Sequence, residues 1–191
     1  MPNKIQTSPF FNMSFPLNVY AQALLLEEGR AEYLHYGLFK DNTTTVYEAQ
    51  RYSTDLILKQ LPNCPCRILE VGTGLGTTLK LLSRMGHQVQ GITPDIEQIN
   101  YIQKQWNNNA PVSCQNFEGF NAEPSSFDII LLQESAQYID PLVIFNQSLD
   151  YLTDSGSLII VDEFCLNHKD SRPEHLHFIN DILILANRFG F

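Results

Sequence analysis

The stretch Leu69-Glu70-Val71-Gly72-Thr73-Gly74-Leu75-Gly76-Thr77 carries the clearest chemical signal in the chain. Glycines at alternate positions let a backbone turn pass close to a ligand, which places a nucleotide-type site at the end of a strand. The spacing is G-x-G-x-G, and Thr77 stands where the dinucleotide fingerprint has its third glycine. A second polar cluster, Gln133-Glu134-Ser135-Ala136-Gln137-Tyr138-Ile139, follows a hydrophobic run. In a doubly wound sheet that tip lies beside the tip of the first strand, so Gln133 and Glu134 are expected to face a reacting acceptor. A carboxylate there holds an amine or hydroxyl nucleophile, and Tyr138 closes the pocket; the bland alternative makes Glu134 a cap for the next segment.

These residues need a scaffold, and the pattern around them predicts one. From Arg67 onward short apolar runs alternate with amphipathic helices, the mark of an α/β protein with a doubly wound, mostly parallel, Rossmann-like sheet and helices on both faces. Strands are expected at Ile68 to Val71, Gln88 to Ile92, Pro111 to Gln115, Phe127 to Leu132 and Ser157 to Asp162, about five in all. Thr45-Val46-Tyr47-Glu48 reads as a capping box that opens a helix with Val46, Ala49, Leu56, Ile57 and Leu61 on one face. Helices follow from Thr77 to Met85, from Pro94 with a cap at Asp95, from the Asp140-Pro141 pair, and from about Pro173 to Phe189. A weaker helix between Pro16 and Tyr36 is interrupted by Gly29. Residues 1–44 are expected as an arm or lid and residues 45–191 as the ligand-binding domain.

Composition excludes several classes. The chain has 191 residues, enough to bury roughly 70% of the surface of its unfolded form. Its longest apolar stretch, Ile182 to Ala186, is far below the roughly 20 residues needed to span a bilayer. With 12 basic and 21 acidic residues, net -9, it offers no cationic field for a phosphate backbone, so no nucleic-acid partner is expected. Met1 to Gln6 contains no apolar signal-like run, and Cys64, Cys66, Cys114 and Cys165 do not form a redox or zinc spacing. Reduced thiols in a cytoplasmic protein are the expectation.

In this context the Glu70, Gly72, Gly74, Gly76 series resembles the first motif of the class I S-adenosylmethionine-dependent methyltransferases. The resemblance implies that Glu70 orients the methionine amino group of S-adenosylmethionine while Gly72, Thr73, Gly74 and Gly76 accommodate its amino-acid and ribose portions. Gly91-Ile92-Thr93-Pro94-Asp95-Ile96-Glu97-Gln98 is similar to the G-[IL]-T-x-S-x-x-Q form of cyclopropane-fatty-acid-synthase-like and small-molecule methyltransferases. It implies ribose hydrogen bonds from Thr93 and Gln98, with Asp95 either a substitute or a helix cap. The absent acidic residue at Thr93 also argues against NAD. The same resemblance puts Phe117 and Glu118 at the adenine, with Phe117 equally readable as core, and Tyr36 nearest the methionine end within Tyr33-Leu34-His35-Tyr36-Gly37. His35 is a candidate acid or base or else a structural histidine.

The predicted activity is methyl transfer to a small-molecule acceptor at nitrogen or oxygen, without metal: His175 and His177 sit two apart on the expected last helix, and Asp162 and Asn167 do not reproduce an acidic metal set. Two other readings stand beside it. One is a non-catalytic binding or scaffold protein, or a fragment, whose C-terminal sheet edge is completed by a partner chain or a second copy, because the family's usual closing strand hairpin has no counterpart after Phe189. The other is an NAD-dependent oxidoreductase.

Overall fold

The computed structural model describes residues 8–42, 44–166 and 176–191. The sheet is five-stranded with every pairing parallel and order β3-β2-β1-β4-β5, where β1 is Arg67–Val71, β2 Gln88–Thr93, β3 Val112–Cys114, β4 Phe127–Gln133 and β5 Leu152–Val161. The helices are α1 (Leu17–Glu28), α2 (Val46–Leu58), α3 (Thr77–Arg84), α4 (Ile96–Gln105), α5 (Pro141–Tyr151) and α6 (Ile179–Phe189), with a 3-10 turn at Ala136–Tyr138. This is the expected α/β Rossmann-like architecture. Strand order reverses at β1, between β2 and β4, and that reversal opens the crevice at the strands' carboxyl ends.

Contacts divide the chain into two compact units. One comprises Met1–Leu61, Gly74–Thr77 and Asp95–Ala110; the other comprises Pro62–Thr73, Thr78–Pro94 and Pro111–Phe191. The second holds the sheet. Its core is Leu69, Val71, Ile92, Phe117, Phe120, Ile130, Leu132, Ile144 and neighbours, which is why β1 and β4 read as near-continuous apolar runs: a parallel strand in mid-sheet is covered on both faces. Asp140 caps α5 by accepting from the Leu142 amide at 2.8 Å, with Pro141 at the first helical position. In the first unit, Phe10, Met13, Ala21 and Leu75 form a smaller core against Leu34 and Tyr101. There α1 stops at Gly29, whose φ of 70° ends the helix, and the Thr45–Glu48 capping box opens α2 as its sequence demands.

Several boundaries differ from expectation for identifiable reasons. β5 begins at Leu152 rather than after Gly156, because Leu152 pairs with Phe127 before Thr153 to Gly156 loop out and pairing resumes at Ser157 with Ile129. α6 begins at Ile179, after Phe178. Leu176 is buried but precedes the helix, and the expected start at Pro173 lies outside the described residues, as do Asn167, His168 and His175. α2 buries Ala49 and Ile57 together with the polar Gln50, Ser53 and Thr54, so its inner face is not the purely apolar stripe of the periodicity. Among the described residues no helix is long and apolar enough to cross a membrane.

Gly91 shows how closely fold and site are joined. A Cβ there would stand 2.4 Å from Thr73 Cγ2 and 3.1 Å from Val112 Cγ1. Gly91→Ala therefore overpacks the seam between β2 and the glycine turn and is expected to cost about 1–3 kcal/mol, read as a lowered urea midpoint at unchanged slope.

Candidate functional site at the strand tips

Parallel register sets the geometry of the sheet unit's site. Val71 pairs with Ile92 on one side and Leu132 on the other, so Glu70, Gly72, Thr73, Thr93, Gln133 and Glu134 gather at the adjoining ends of β1, β2 and β4. The amides of Gly72 and Thr73 both reach the Ile92 carbonyl, at 2.9 and 3.2 Å. Gly72 has φ of 80°, and a Cβ on it would stand 2.5 Å from Ser135 Cβ, so only glycine fits both the turn and the approach of the β4 loop. The Ser135 hydroxyl donates to the Val71 carbonyl at 2.6 Å and locks that approach.

Glu70 is the unusual group. It is 3% exposed in mid-sheet. The Leu79 amide in the first turn of α3 donates to its carboxylate, which satisfies an otherwise orphaned helix N-terminal donor. Its Oε2 has no hydrogen-bond partner. Burial pushes its carboxyl up to about 8, the Leu79 amide opposing only in part. At neutral pH the group is a buried acid with one unsatisfied oxygen. The Thr73 hydroxyl close by is likewise buried and unpartnered. Orphaned buried polar atoms of this kind are uncommon and leave two polar groups at the β1 tip open to a partner.

The β4 tip is held in strain. Glu134 has φ of 54°, a left-handed conformation that is unfavourable for a residue with a side chain. Its amide donates to the Val161 carbonyl at 2.7 Å. The next turn is gripped at both ends. Asp162, at the end of β5, accepts from the Ala136 amide and from the Gln137 amide at 3.0 Å, while His177 Nε2 lies 3.0 Å from both the Ala136 and Ile139 carbonyls and so donates there. Burial holds the Asp162 carboxyl above the ordinary range despite these amides. Asp162 thus takes the Ala136 and Gln137 amides of this turn; Glu134 is half-buried, and Tyr138 is exposed. Gln133 is buried and accepts from the Thr78 hydroxyl at 3.1 Å.

The residues of the other unit are placed as follows. Gly74 and Gly76 complete the turn at positive φ, with Leu34 and Ile102 against them. Gln98 is buried on α4. Asp95 is a cap, accepting from the Glu97 amide at 2.8 Å and the Ser14 amide at 2.7 Å, and is thereby committed. Tyr36 is 55% exposed.

Two residues favour the packing alternative given for them. His35 is buried against the Tyr33 ring, its Nε2 3.4 Å from the Thr54 hydroxyl, and burial pulls its imidazole down to about 4, which supports the structural reading. Phe117 is 1% exposed inside the core, stacked on Phe120, which supports the core reading; Glu118 beside it is exposed. What sequence reasoning missed was the Asp162–His177 grip. Its only signal was one polar residue just after β5 and another just before α6, and their spacing carries no motif. Among the described residues no three His, Cys, Asp or Glu side chains gather at metal-ligand spacing.

Two outcomes follow from this geometry. Because the folded Glu70 carboxyl titrates above its unfolded value of 4.5, its contribution is fully present below that pH and is lost as pH rises through about 8. Ligand-free wild type is expected to lose on the order of a few kcal/mol relative to Glu70→Gln between pH 5 and 8.5, measured by urea unfolding of both. Glu134→Gly, which relieves the left-handed backbone, is expected to stabilise the fold by about 1 kcal/mol in the same assay.

Residues 69–160 match the family described as a methyltransferase domain. Among curated proteins none matches the chain by sequence. Solved structures do. The chain superimposes with a TM-score of 0.68 on geranyl diphosphate C-methyltransferase from Streptomyces coelicolor A3(2), bound to Mg2+, geranyl-S-thiolodiphosphate and S-adenosyl-L-homocysteine, at 15% identity over 94% of this chain and 76% of that one. It is similar to the (4+2) cyclase SpnF with a TM-score of 0.73, 19% identity and coverage of 90% of this chain and 70% of that one. A SAM dependent methyltransferase from Aquifex aeolicus aligns with a TM-score of 0.55 at 20% identity over 72% of this chain and 78% of that one. At these identities the likeness is one of fold. The chain thus has the class I methyltransferase fold, and within it residues 69–160 match a methyltransferase domain.

Proposed function

We propose that this chain binds S-adenosylmethionine and transfers a methyl group to the nitrogen or oxygen of a small-molecule acceptor. The observation that carries this reading is the buried, half-satisfied carboxyl of Glu70 beside a turn of three positive-φ glycines. An unpaired buried carboxyl oxygen suits an ammonium group, and the methionine end of this cofactor offers one. The match of residues 69–160 to a methyltransferase domain supports the same choice.

When bound, S-adenosylmethionine supplies a sulfonium methyl that is already electrophilic, so the chain's work is to orient, to exclude water and to handle one proton. Glu70 would take the amino group, ionising as it does so. The Gly72 turn would allow close backbone approach, and Thr73 would donate its orphaned hydroxyl. Thr93 and Gln98 are the candidates for the ribose hydroxyls, Gln133 lines the β4 tip and Glu118 is the candidate near the adenine. At the acceptor side Glu134, held by the hydrogen bond its backbone amide donates to the Val161 carbonyl, would orient the nucleophile and accept its proton while Tyr138 covers it. Asp162 and Glu163 at the neighbouring strand end add negative charge, which favours an amine acceptor over a phosphate-bearing one.

A second reading, cofactor binding in the service of a different reaction, has one observation in its favour: a neighbour of this fold is described as a cyclase. Release of S-adenosylhomocysteine separates the two. Isothermal titration with S-adenosylmethionine is expected to show saturable binding weakened about tenfold or more in Glu70→Gln. A screen of amines, phenols, carboxylates and lipids is expected to yield S-adenosylhomocysteine with an amine or hydroxyl compound, and Glu134→Gln to lower kcat about 100-fold or more. Absence of heat at millimolar cofactor would sink the proposal, and binding without release on any acceptor would favour the second reading.

A further inference from the structure

Gln50 is one of three buried polar side chains on α2, at 2% exposure, in a helix whose buried face already departs from apolar periodicity. It belongs to no ion pair, and its carboxamide reaches across to the segment that precedes α2. Nε2 donates to the His35 carbonyl at 2.6 Å and to the Tyr20 hydroxyl at 3.2 Å, with the Tyr33 carbonyl at 3.5 Å. The Tyr20 hydroxyl in turn lies 3.4 Å from the His35 carbonyl, and its ring packs edge-on against Tyr36 at 5.7 Å. Immediately after, the chain presses on the α2 backbone: Gly37 has φ of 89°, a Cβ there would stand 2.4 Å from the Gln50 amide nitrogen, and the Leu38 amide donates to the Ala49 carbonyl at 3.0 Å.

The other end of this segment is fixed to the glycine turn. The Thr77 hydroxyl donates to the Glu32 carbonyl, and the Leu34 side chain lies 3.6 Å from where a Cβ on Gly74 would be. Residues 32–38 therefore form a strap stretched between the turn and α2. Tyr33 and His35 are buried, while Tyr36 between the two anchors is exposed. Packing of Tyr33, Leu34 and His35 seats the strap, whose own backbone makes no regular ladder. The directional bonds from Gln50 add a fixed hold on that backbone, one of them landing on the carbonyl that immediately precedes Tyr36.

We propose that Gln50 is a positioning residue for the cofactor, holding the strap backbone so that Tyr36 is presented at the glycine turn in the orientation that receives the methionine end. The inference rests on the S-adenosylmethionine reading above, extended to the expected place of Tyr36 nearest the methionine end, and adds Gln50 to it. Gln50 touches no reacting atom; it acts through Tyr36.

The test is a double-mutant cycle on the full chain, with S-adenosylmethionine affinity read by isothermal titration and the fold of each variant checked by far-UV circular dichroism. Gln50→Met keeps the volume and removes the donors. It is expected to weaken binding about tenfold, to raise KM for S-adenosylmethionine equally, and to leave kcat at saturating cofactor within about twofold. Tyr36→Ala is expected to weaken binding by a similar factor, and the double variant to bind no more weakly than Tyr36→Ala alone, within about twofold. If Gln50→Met does not fold, Gln50→Asn, which keeps the amide but withdraws it by one methylene, goes through the same cycle with the same expected pattern. Wild-type affinity in a folded Gln50 variant, or losses that multiply in the double variant, would overturn the proposal. A wild type that binds no S-adenosylmethionine would instead overturn the cofactor reading, and this inference with it.

Discussion

Ionising a carboxyl group in the middle of a parallel sheet is costly, and around Glu70 the chain has arranged its neighbours so that the cost is only half met. β1 is the strand at which sheet order reverses, so its tip has β2 on one side and β4 on the other. Glu70 turns back to accept the Leu79 amide at the start of α3, which ties strand, glycine turn and helix together. That one bond leaves the second oxygen without a partner and the carboxyl with a raised pKa. A purely structural role would have been served better by an apolar side chain or by a fully satisfied amide, because a half-paired buried acid destabilises the ligand-free fold. The group makes sense as a receptor for a positive charge.

The β4 tip follows the same logic by different means. Glu134 adopts a backbone conformation that side chains resist, and it stays there because its surroundings over-determine it: Val161, Ser135, Asp162 and His177 each hold part of the turn by a directed bond. Strain retained by so many contacts is strain with a use. The two tips differ in kind, one offering a deficit of hydrogen bonding and the other a carboxylate on a strained backbone, a division that suits the proposed roles of cofactor binding and acceptor handling.

Much of the scaffold was legible in the residues themselves. The glycine turn, the capping box at Thr45 and the Asp140-Pro141 pair are local devices whose chemistry lies within a few residues, and the strands around them are short apolar runs with unambiguous ends. What was hidden depends on tertiary contacts. Phe117 and His35 looked like ligand contacts because aromatic and imidazole groups stand near the expected positions, and only burial favours the packing reading for both. Gln50, Ser53 and Thr54 lie outside the apolar face expected for α2, yet they are buried, Gln50 reaching the His35 carbonyl and Thr54 the His35 ring. Asp162 and His177 hold the same turn from positions that no spacing rule links, and the bulge between Leu152 and Ser157 is visible only in the pairing register.

The account turns on a single proton. If the Glu70 acid is the seat of the cofactor's amino group, it must ionise when that group arrives, so binding at pH 7 must expel a proton from the protein. Titrating S-adenosylmethionine into the protein in two buffers of different ionisation enthalpy measures this directly. Release approaching one proton per cofactor is expected at pH 7 from wild type, falling toward zero near pH 8 as Glu70 ionises beforehand and the free cofactor's amino group loses its proton, and none is expected at pH 7 from Glu70→Gln. Binding that is equally tight yet moves no proton, or the same release from Glu70→Gln, would contradict it.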